Sequence, residues 1–182
     1  MAQTDCFAAR ATKILSMRPL AFSCLICATL FVTPSMAQVR TDSLSSDRLF
    51  MMARDKAFDG DRKEARRLCR IINARDSMYM DARVLLARTY AWDGNNAEGR
   101  SILKSVLSVV PTHRDALEAL TDVELWGKDF LQALAVANEG LFSYPHDEDL
   151  LIKKARALDG LGRDEESLQI LLKVEEIDPS RS

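Results

Sequence analysis

The sequence is poor in the residues that build catalytic sites and in those that break helices. Its 182 residues include only two histidines, seven glycines and five prolines. So few glycines and prolines argue against a turn-rich β-sandwich and against a disordered linker protein. The formal net charge of −2 lacks the basic excess that nucleic-acid-binding domains carry, so we expect no nucleic-acid partner.

Cysteine is scarce as well. Three of the four cysteines, Cys6, Cys24 and Cys27, precede residue 38, in a segment that we interpret below as a removed leader. Removal leaves Cys69 alone, so no disulfide within the mature chain is expected. Cys69 falls on a predicted buried helix face, where cysteine acts as a small hydrophobic residue. The alternative is a reactive thiol in an exported protein.

Motifs that carry chemistry are missing from the sequence after residue 37. It has no phosphate-binding loop, no dinucleotide fingerprint, no H-E-x-x-H and no C-x-x-C. The histidines, His113 and His146, fall in equivalent turns, and we interpret them as solvated turn residues. Metal binding is the weaker alternative, because no cysteine or third histidine joins them. We therefore expect no catalytic residue, no cofactor and no metal, and predict that the protein is not an enzyme.

The first 37 residues have the pattern of a secretory signal peptide. Residues 20–32 form a run of 13 that is apolar except for Ser23 and Thr29, too short to span a bilayer. Basic residues precede the run, and small residues at Ser35 and Ala37 suit cleavage before Gln38. We predict a signal peptide over 1–37, with Met17 as an alternative start and a retained anchor as the alternative role. Residues 38–45 are predicted to be flexible.

The rest of the chain repeats every 34 residues. Pro111, Pro145 and Pro179 are each 34 residues apart and set the frame of four repeats, 46–79, 80–113, 114–147 and 148–181. Position 15 of this frame, where a first helix ends, holds Gly60, Gly94, Lys128 and Gly162, and Gly127 lies beside the exception. Glycine there supplies the left-handed backbone that ends a helix, and proline at position 32 ends the second helix.

Two other positions of the frame hold small residues. They are Ala53, Ala87, Thr121 and Ala155 at position 8, and Ala65, Gly99, Ala133 and Ser167 at position 20. Small residues at both positions let two antiparallel helices approach closely. We predict paired helices at 47–58 and 61–73, 80–92 and 95–109, 114–126 and 129–142, and 148–160 and 163–176. The pattern is that of the tetratricopeptide repeat (TPR), which predicts an all-α right-handed solenoid over 46–181.

Residues 81–172 also resemble the TPR region of YaiO-type outer-membrane proteins. The resemblance rests on the strings DARVLLARTYAWDGNNAEGRSIL, DALEALTDVELWGKDFLQALAVANEGL and DLLIKKARALDGLGRDEESLQIL. In that family the repeats precede an outer-membrane β-barrel, so the resemblance implies a periplasmic location in a Gram-negative envelope. The sequence leaves no length for a barrel after the repeats. We expect a stand-alone relative, a truncated gene product or one half of a split protein.

The TPR resemblance implies that the first helix of each repeat lines an inner groove through its positions 2, 5, 9, 12 and 13. Position 13 places an aromatic residue there in each of the first three repeats, Phe58, Trp92 and Trp126, and position 9 adds Arg54, Arg88, Asp122 and Arg156. Aromatic residues are enriched at recognition hot spots. We propose these seven as groove binding residues for another protein or an envelope component. Packing of the aromatics against their own turns is the alternative role, and a glycan or polymer is the alternative ligand.

The last helix is predicted to leave an apolar face uncovered. A terminal repeat exposes the surface meant for its neighbour unless a polar element caps it. Leu168, Leu171, Leu172 and Ile177 are the candidate residues of this C-terminal docking face. The expected occupants are a second copy of the chain, a separate outer-membrane barrel or a sequence lost by truncation.

Overall fold

The chain forms eight α-helices over residues 43–177, the part that this computed structural model describes. The helices are α1 Ser46–Phe58, α2 Arg62–Arg75, α3 Met80–Trp92, α4 Asn96–Leu107, α5 Arg114–Trp126, α6 Phe130–Ser143, α7 Glu148–Gly160 and α8 Asp164–Ile177. No strand occurs in this range. The predicted helix bounds agree with the observed ones to within two residues, and the predicted all-α repeat fold is confirmed.

Each repeat is a hairpin of two helices, which we call helix A (α1, α3, α5, α7) and helix B (α2, α4, α6, α8). Each helix packs on the next along the chain, and each helix A also contacts the helix A of the following repeat. The small residues at positions 8 and 20 are buried in all four repeats. In repeat 2, a Cβ atom added to Gly99 would lie 3.0 Å from the Ala87 carbonyl oxygen. The predicted close contact between helices A and B is confirmed.

The turn inside each hairpin depends on one residue in the left-handed backbone region. Gly60, Gly94 and Gly162 have φ angles of +88°, +81° and +72°. In repeat 3 this role falls to Lys128, at φ +59°, while Gly127 keeps a φ of −74°. Gly127, which precedes position 15, therefore does not adopt the left-handed conformation in place of Lys128. A side chain at a left-handed position costs about 1–2 kcal/mol.

Hydrogen bonds from side chains fix where the B helices begin. Asp61, Asn95 and Asp129 each accept a bond of 3.2 Å from the backbone N–H three residues further on. Such N-caps satisfy a donor that the first helical turn leaves unpaired. In repeat 4, Arg163 occupies the equivalent position and donates instead to the Glu166 carboxylate, at 2.7 Å.

The cores lie within hairpins and between neighbouring hairpins. Cys69 is fully buried in the core of the first two repeats, and burial raises the pKa of its thiol to about 12. A thiol that stays protonated has little reactivity, which agrees with a structural role. Between repeats 2 and 3, the fully buried Glu124 carboxylate accepts two hydrogen bonds from Arg100, at 2.7 and 2.5 Å.

The two predicted segments before the repeats lie mostly outside the described residues. Residues 1–37, the predicted signal peptide, lie entirely outside them. Of residues 38–45, only residues 43–45 are described, and they contact the first repeat. Leu44 packs on the core of the first repeats, its carbonyl accepts a 2.7 Å hydrogen bond from Arg75, and Ser45 caps α1. Within 43–177, no helix has the length and apolar character needed to cross a membrane.

Candidate functional site

A pocket of about 440 Å³ lies on the surface formed by the first three A helices. This surface is the predicted groove. The pocket is lined by apolar and charged side chains from α1, α3 and α5: Phe50, Arg54, Phe58, Asp81, Val84, Leu85, Arg88, Trp92, Arg114, Asp115 and Glu118. Its volume is in the range of ligand-binding clefts. Four predicted groove residues, Arg54, Phe58, Arg88 and Trp92, are brought together here.

The apolar wall of the pocket is built from aromatic rings. Phe50, Arg54 and Phe58 lie four residues apart on α1, so they share one face of that helix. The Phe58 ring is 72% exposed, and its centroid is 5.8 Å from that of Trp92 in a tilted arrangement. Phe50 is half-buried and contacts Tyr79, with centroids 5.5 Å apart. Phe58 thus presents open ring surface beside the exposed Arg54, while Trp92 and Phe50 are half-buried against the core of the first two repeats.

Trp126 lies apart from this pocket. It is 43% exposed and lines a second, shallower depression with Trp92 and Asn96. Repeat 4 has no aromatic residue at this position because Gly160 stands there. A Cβ atom on Gly160 would lie 2.5 Å from the ring of Phe130, so that ring fills the space that a side chain would need.

The floor of the groove carries four charged residues that pair with one another. The Lys153 ammonium on α7 lies 3.3 Å from Glu118 and 3.2 Å from Asp122, both on α5. Arg88 on α3 lies 3.5 and 3.9 Å from the same two carboxylates. Burial raises the pKa of Asp122, although Lys153 and Arg88 act to lower it. This network links three A helices and neutralises its own charges.

Arg114 extends the charged region towards repeat 4. Its guanidinium donates to Asp147 at 2.5 Å and to Asp149 at 3.1 Å, and lies 3.3 Å from Glu118. The hydrogen bond to Asp147 raises the pKa of Arg114 above its usual range. Burial pushes the pKa of Asp147 upward, but bonds from Arg114 and the Leu150 N–H outweigh it, so that pKa is lowered. Arg114 is thereby committed to the junction of repeats 3 and 4.

The remaining predicted groove cations are more open. The Arg54 side chain is 46% exposed, and its nearest carboxylate in an ion pair is that of Asp55, at 4.0 Å. Arg156 is exposed on α7 and lines neither of these two depressions. Asp122 does not line them either, although its partner Arg88 lines the first pocket. Arg54 is therefore the pocket cation with the weakest internal pairing.

Several residues of the pocket and of the paired charges beside it were not among the seven predicted ones. Phe50, Asp81 and Glu118 occupy positions 2 and 5 of the repeat, which the TPR resemblance already assigns to the groove, so extending the prediction to those positions finds them. Lys153 had a fainter signal: it is a charged residue at position 6, where repeats 1 to 3 hold Met51, Leu85 and Ala119. Arg114 carried no signal that we recognise.

His113 is not the solvated turn residue that was predicted. Its side chain is only 16% exposed, and its Nδ1 atom accepts the Ala116 N–H at 3.4 Å as the N-cap of α5. The Nε2 atom lies 3.4 Å from an Asp81 carboxylate oxygen. His146 lines a small surface depression with Pro145 and Asp147. Among the described residues, no group of three or more potential metal ligands lies together.

The four predicted C-terminal docking residues are all exposed on α8. The exposed fractions are 58% for Leu168, 44% for Leu171, 52% for Leu172 and 36% for Ile177. They do not occupy equivalent places in the repeat. Positions 25 and 30, held by Leu172 and Ile177, are also exposed in the first three repeats. Leu168 and Leu171 hold positions 21 and 24, which are partly buried and fully buried, respectively, in the first three repeats.

Comparison with solved structures places the chain among TPR folds. The thermophilic TPR protein TTC0263 of Thermus thermophilus matches with a TM-score of 0.68 and 14% identity, over 74% of this chain and 75% of that chain. MamA 41-end from Desulfovibrio magneticus RS-1 matches with a TM-score of 0.64 and 19% identity, over 74% and 76%. No protein-family model matches the sequence, and no curated protein matches it. At these identities the likeness establishes the TPR fold.

Proposed function

We propose that this protein is a non-catalytic scaffold for protein–protein interaction in the envelope of a Gram-negative bacterium, and that its groove binds a partner. The observation that carries the proposal is the pocket between α1 and α3. Phe58 presents open aromatic surface there, with its ring next to that of the half-buried Trp92 and beside the weakly paired Arg54. Aromatic and arginine side chains supply most of the binding energy at protein interfaces, because they bury large areas and pair well.

The other charged groups of the groove support binding rather than chemistry. Arg88, Glu118, Asp122 and Lys153 pair with one another, and such ion pairs hold helices in place. A general acid or base needs a tuned group within reach of a substrate atom. The candidate pocket offers instead aromatic and aliphatic side chains with paired charges around them.

The proposed envelope location rests on the sequence. The signal-like segment 1–37 and the resemblance to the periplasmic repeats of YaiO-type proteins support it. Export is expected to remove residues up to Ala37. N-terminal sequencing of the protein purified from an envelope fraction tests this, and recovery of soluble cytosolic protein that begins at Met1 or Met17 contradicts it.

The groove is tested by photocrosslinking in cells. A photoreactive amino acid at Phe58 is expected to crosslink a specific partner protein in the envelope. Leu131 is a matched control, because it is 70% exposed against 72% for Phe58 but lies on α6, a B helix outside the groove. If Trp92→Ala abolishes the crosslinks formed from position 58, the result supports the groove as the binding site. Equal crosslinking from both positions, or none from Phe58, contradicts it.

The glycan alternative makes a different prediction for the same residues. Trp92 and Trp126 are the two tryptophans of the chain, so tryptophan emission, excited selectively over the three tyrosines, reports on this surface. Stacking of a sugar on these rings is expected to quench their emission when soluble envelope glycans are added. A partner protein with no response to glycans favours the scaffold. Circular dichroism of Trp92→Ala and Trp126→Ala serves as the control, because lost helicity indicates a packing role.

A further inference from the structure

One row of side chains on α8 occupies positions that the next repeat covers everywhere else. Asp164, Leu168, Leu171 and Glu175 are spaced four, three and four residues apart, so they share one face of the helix; we call them the terminal stripe. The equivalent side chains of the first three B helices are partly or fully buried. At position 24 the difference is complete: Cys69, Leu103 and Ala137 have no exposed surface, whereas Leu171 is 44% exposed.

The covered rows show how a helix binds to this face. Position 17 of helix B lies opposite positions 13 and 14 of the next repeat. In repeat 1, Arg62 at position 17 donates to Asp93 at position 14 of repeat 2, at 2.8 Å. In repeat 3, the Phe130 ring at position 17 lies against Gly160 at position 13 of repeat 4. Position 21 meets position 11, as in the Arg100–Glu124 pair. The order of these contacts makes the covering helix antiparallel to helix B. In each of these contacts the two residues are complementary: an arginine meets an acidic residue, or an aromatic ring meets a glycine.

Applied to the terminal stripe, the same register specifies the chemistry of a covering helix. The C-terminal end of the covering helix must face Asp164. A basic residue there would pair with Asp164, as the acidic Asp93 pairs with Arg62. Its middle must be apolar, to lie on Leu168 and Leu171. Its start lies near Glu175, where a positively charged residue and the positive end of the helix dipole both favour contact.

We propose that the terminal stripe binds an amphipathic helix of another polypeptide, apolar in its middle and basic near both ends. This surface is separate from the groove, and the inference does not depend on the groove's function. Exposed apolar area is unfavourable in water and marks a binding surface. The helix Asp164–Ile177 also carries five carboxylates and one lysine, and this excess of negative charge attracts a basic partner. The two features together select the occupant.

A second copy of this chain fits the stripe poorly in both possible ways. In head-to-tail contact, α1 would take the covering place, and its Asp59 at position 14 would face Asp164. Its Asp55 at position 10 would enter the apolar contact, where Thr89, Val123 and Ala157 are buried in the other repeats. In contact between two α8 helices running antiparallel, Asp164 would face Glu175 of the other copy. Like charges repel in each case.

A peptide based on the chain's own covering helix tests the proposal. The probe is the sequence of α7, residues 148–160, labelled with fluorescein and with Glu148, Asp149 and Asp159 replaced by lysine. The control probe keeps the native acidic residues. Binding to the full chain is measured by fluorescence anisotropy at low salt. The basic peptide is expected to bind at least about tenfold more tightly than the native one, and the difference is expected to shrink at about 0.5 M salt, because salt screens exposed charges.

Variants of the full chain assign the binding to the stripe. Leu168→Gln combined with Leu171→Gln is expected to weaken binding of the basic peptide at least about tenfold, with unchanged circular dichroism, because both leucines are exposed. Leu131→Gln, at an exposed leucine of α6, is the matched control and is expected to have no effect. Asp164→Lys combined with Glu175→Lys is expected to reverse the preference in favour of the acidic peptide.

Three results overturn the inference. The first is equal binding of the basic and native peptides, which removes the role of charge. The second is binding that the two leucine substitutions leave unchanged, which places the peptide elsewhere. The third is a dimer of the full chain in sedimentation velocity that those substitutions dissociate, which makes a second copy the occupant.

Discussion

Lys128 stabilises the third turn less well than glycine does in the other three, and replacing it tests the left-handed turn directly. Its φ of +59° costs a residue with a Cβ atom about 1–2 kcal/mol. Glycine loses about 0.5–1 kcal/mol more backbone entropy than alanine on folding. The balance predicts that Lys128→Gly raises the free energy of unfolding by about 0.5–1 kcal/mol, and the melting temperature by about 2–4 °C for each kcal/mol.

The reverse substitution at Gly94 is the matched control. Its φ is +81°, and a Cβ atom there would meet nothing within 4 Å, so any effect comes from the backbone alone. Gly94→Lys is expected to lower the free energy of unfolding by a similar amount. Urea unfolding followed by far-UV circular dichroism measures both, with an unchanged m-value showing that the unfolded state is comparable. A neutral or destabilising effect of Lys128→Gly, together with a Gly94→Lys variant as stable as the unmodified chain, contradicts the assigned role of the left-handed residue.

Three further substitutions test other contacts. Ala133→Leu places a larger side chain at the buried contact between helices A and B in repeat 3 and is expected to cost about 1–3 kcal/mol; an unchanged melting temperature contradicts the repeat frame. Arg100→Ala leaves the fully buried Glu124 carboxylate without its partner and is expected to cost about 3–5 kcal/mol, part of which Arg100→Ala with Glu124→Leu recovers in the same urea assay. The lowered pKa of Asp147 beside Arg114 stabilises the fold at pH values above its unfolded pKa of 3.8, and this contribution is lost as the pH falls through the lower folded pKa. Asp147→Asn keeps a good N-cap but removes the charge, so its difference in stability from the unmodified chain is expected to disappear on acidification; a difference that is constant with pH refutes the assignment.

The repeat frame predicts most of the fold because a few physical requirements recur in every hairpin. Positions 8 and 20 must be small, and position 15 must allow a positive φ, so the helix bounds follow from them. The frame does not predict a lysine at position 15. The fold tolerates Lys128 there because the free-energy cost of its left-handed backbone is small compared with the free energy gained by packing two helices. The caps at Asp61, Asn95 and Asp129 were also readable, as Asp or Asn followed three residues later by Glu or Gln.

The candidate site was less predictable because its contacts join different repeats. Position 9 of the frame groups Arg88 and Asp122 as equivalent residues, yet they meet as partners, 3.9 Å apart. Lys153 completes their network from position 6. A frame aligns residues within each repeat but says nothing about which side chains meet across a junction. Such pairs depend on side-chain length and on the register between neighbouring A helices.

The pairing of charges divides the groove into two parts with different roles. From Arg88 to Lys153, cations and carboxylates satisfy one another across α3, α5 and α7, and a ligand that displaced one would leave another buried without its partner. Between α1 and α3 the surface is formed by aromatic rings and an arginine. Phe58 is 72% exposed there, and Arg54 makes only a weak ion pair. A partner gains most by covering this second part, because apolar burial there breaks no ion pair. The paired part then acts as a rigid support that fixes α3 against α5 and α7.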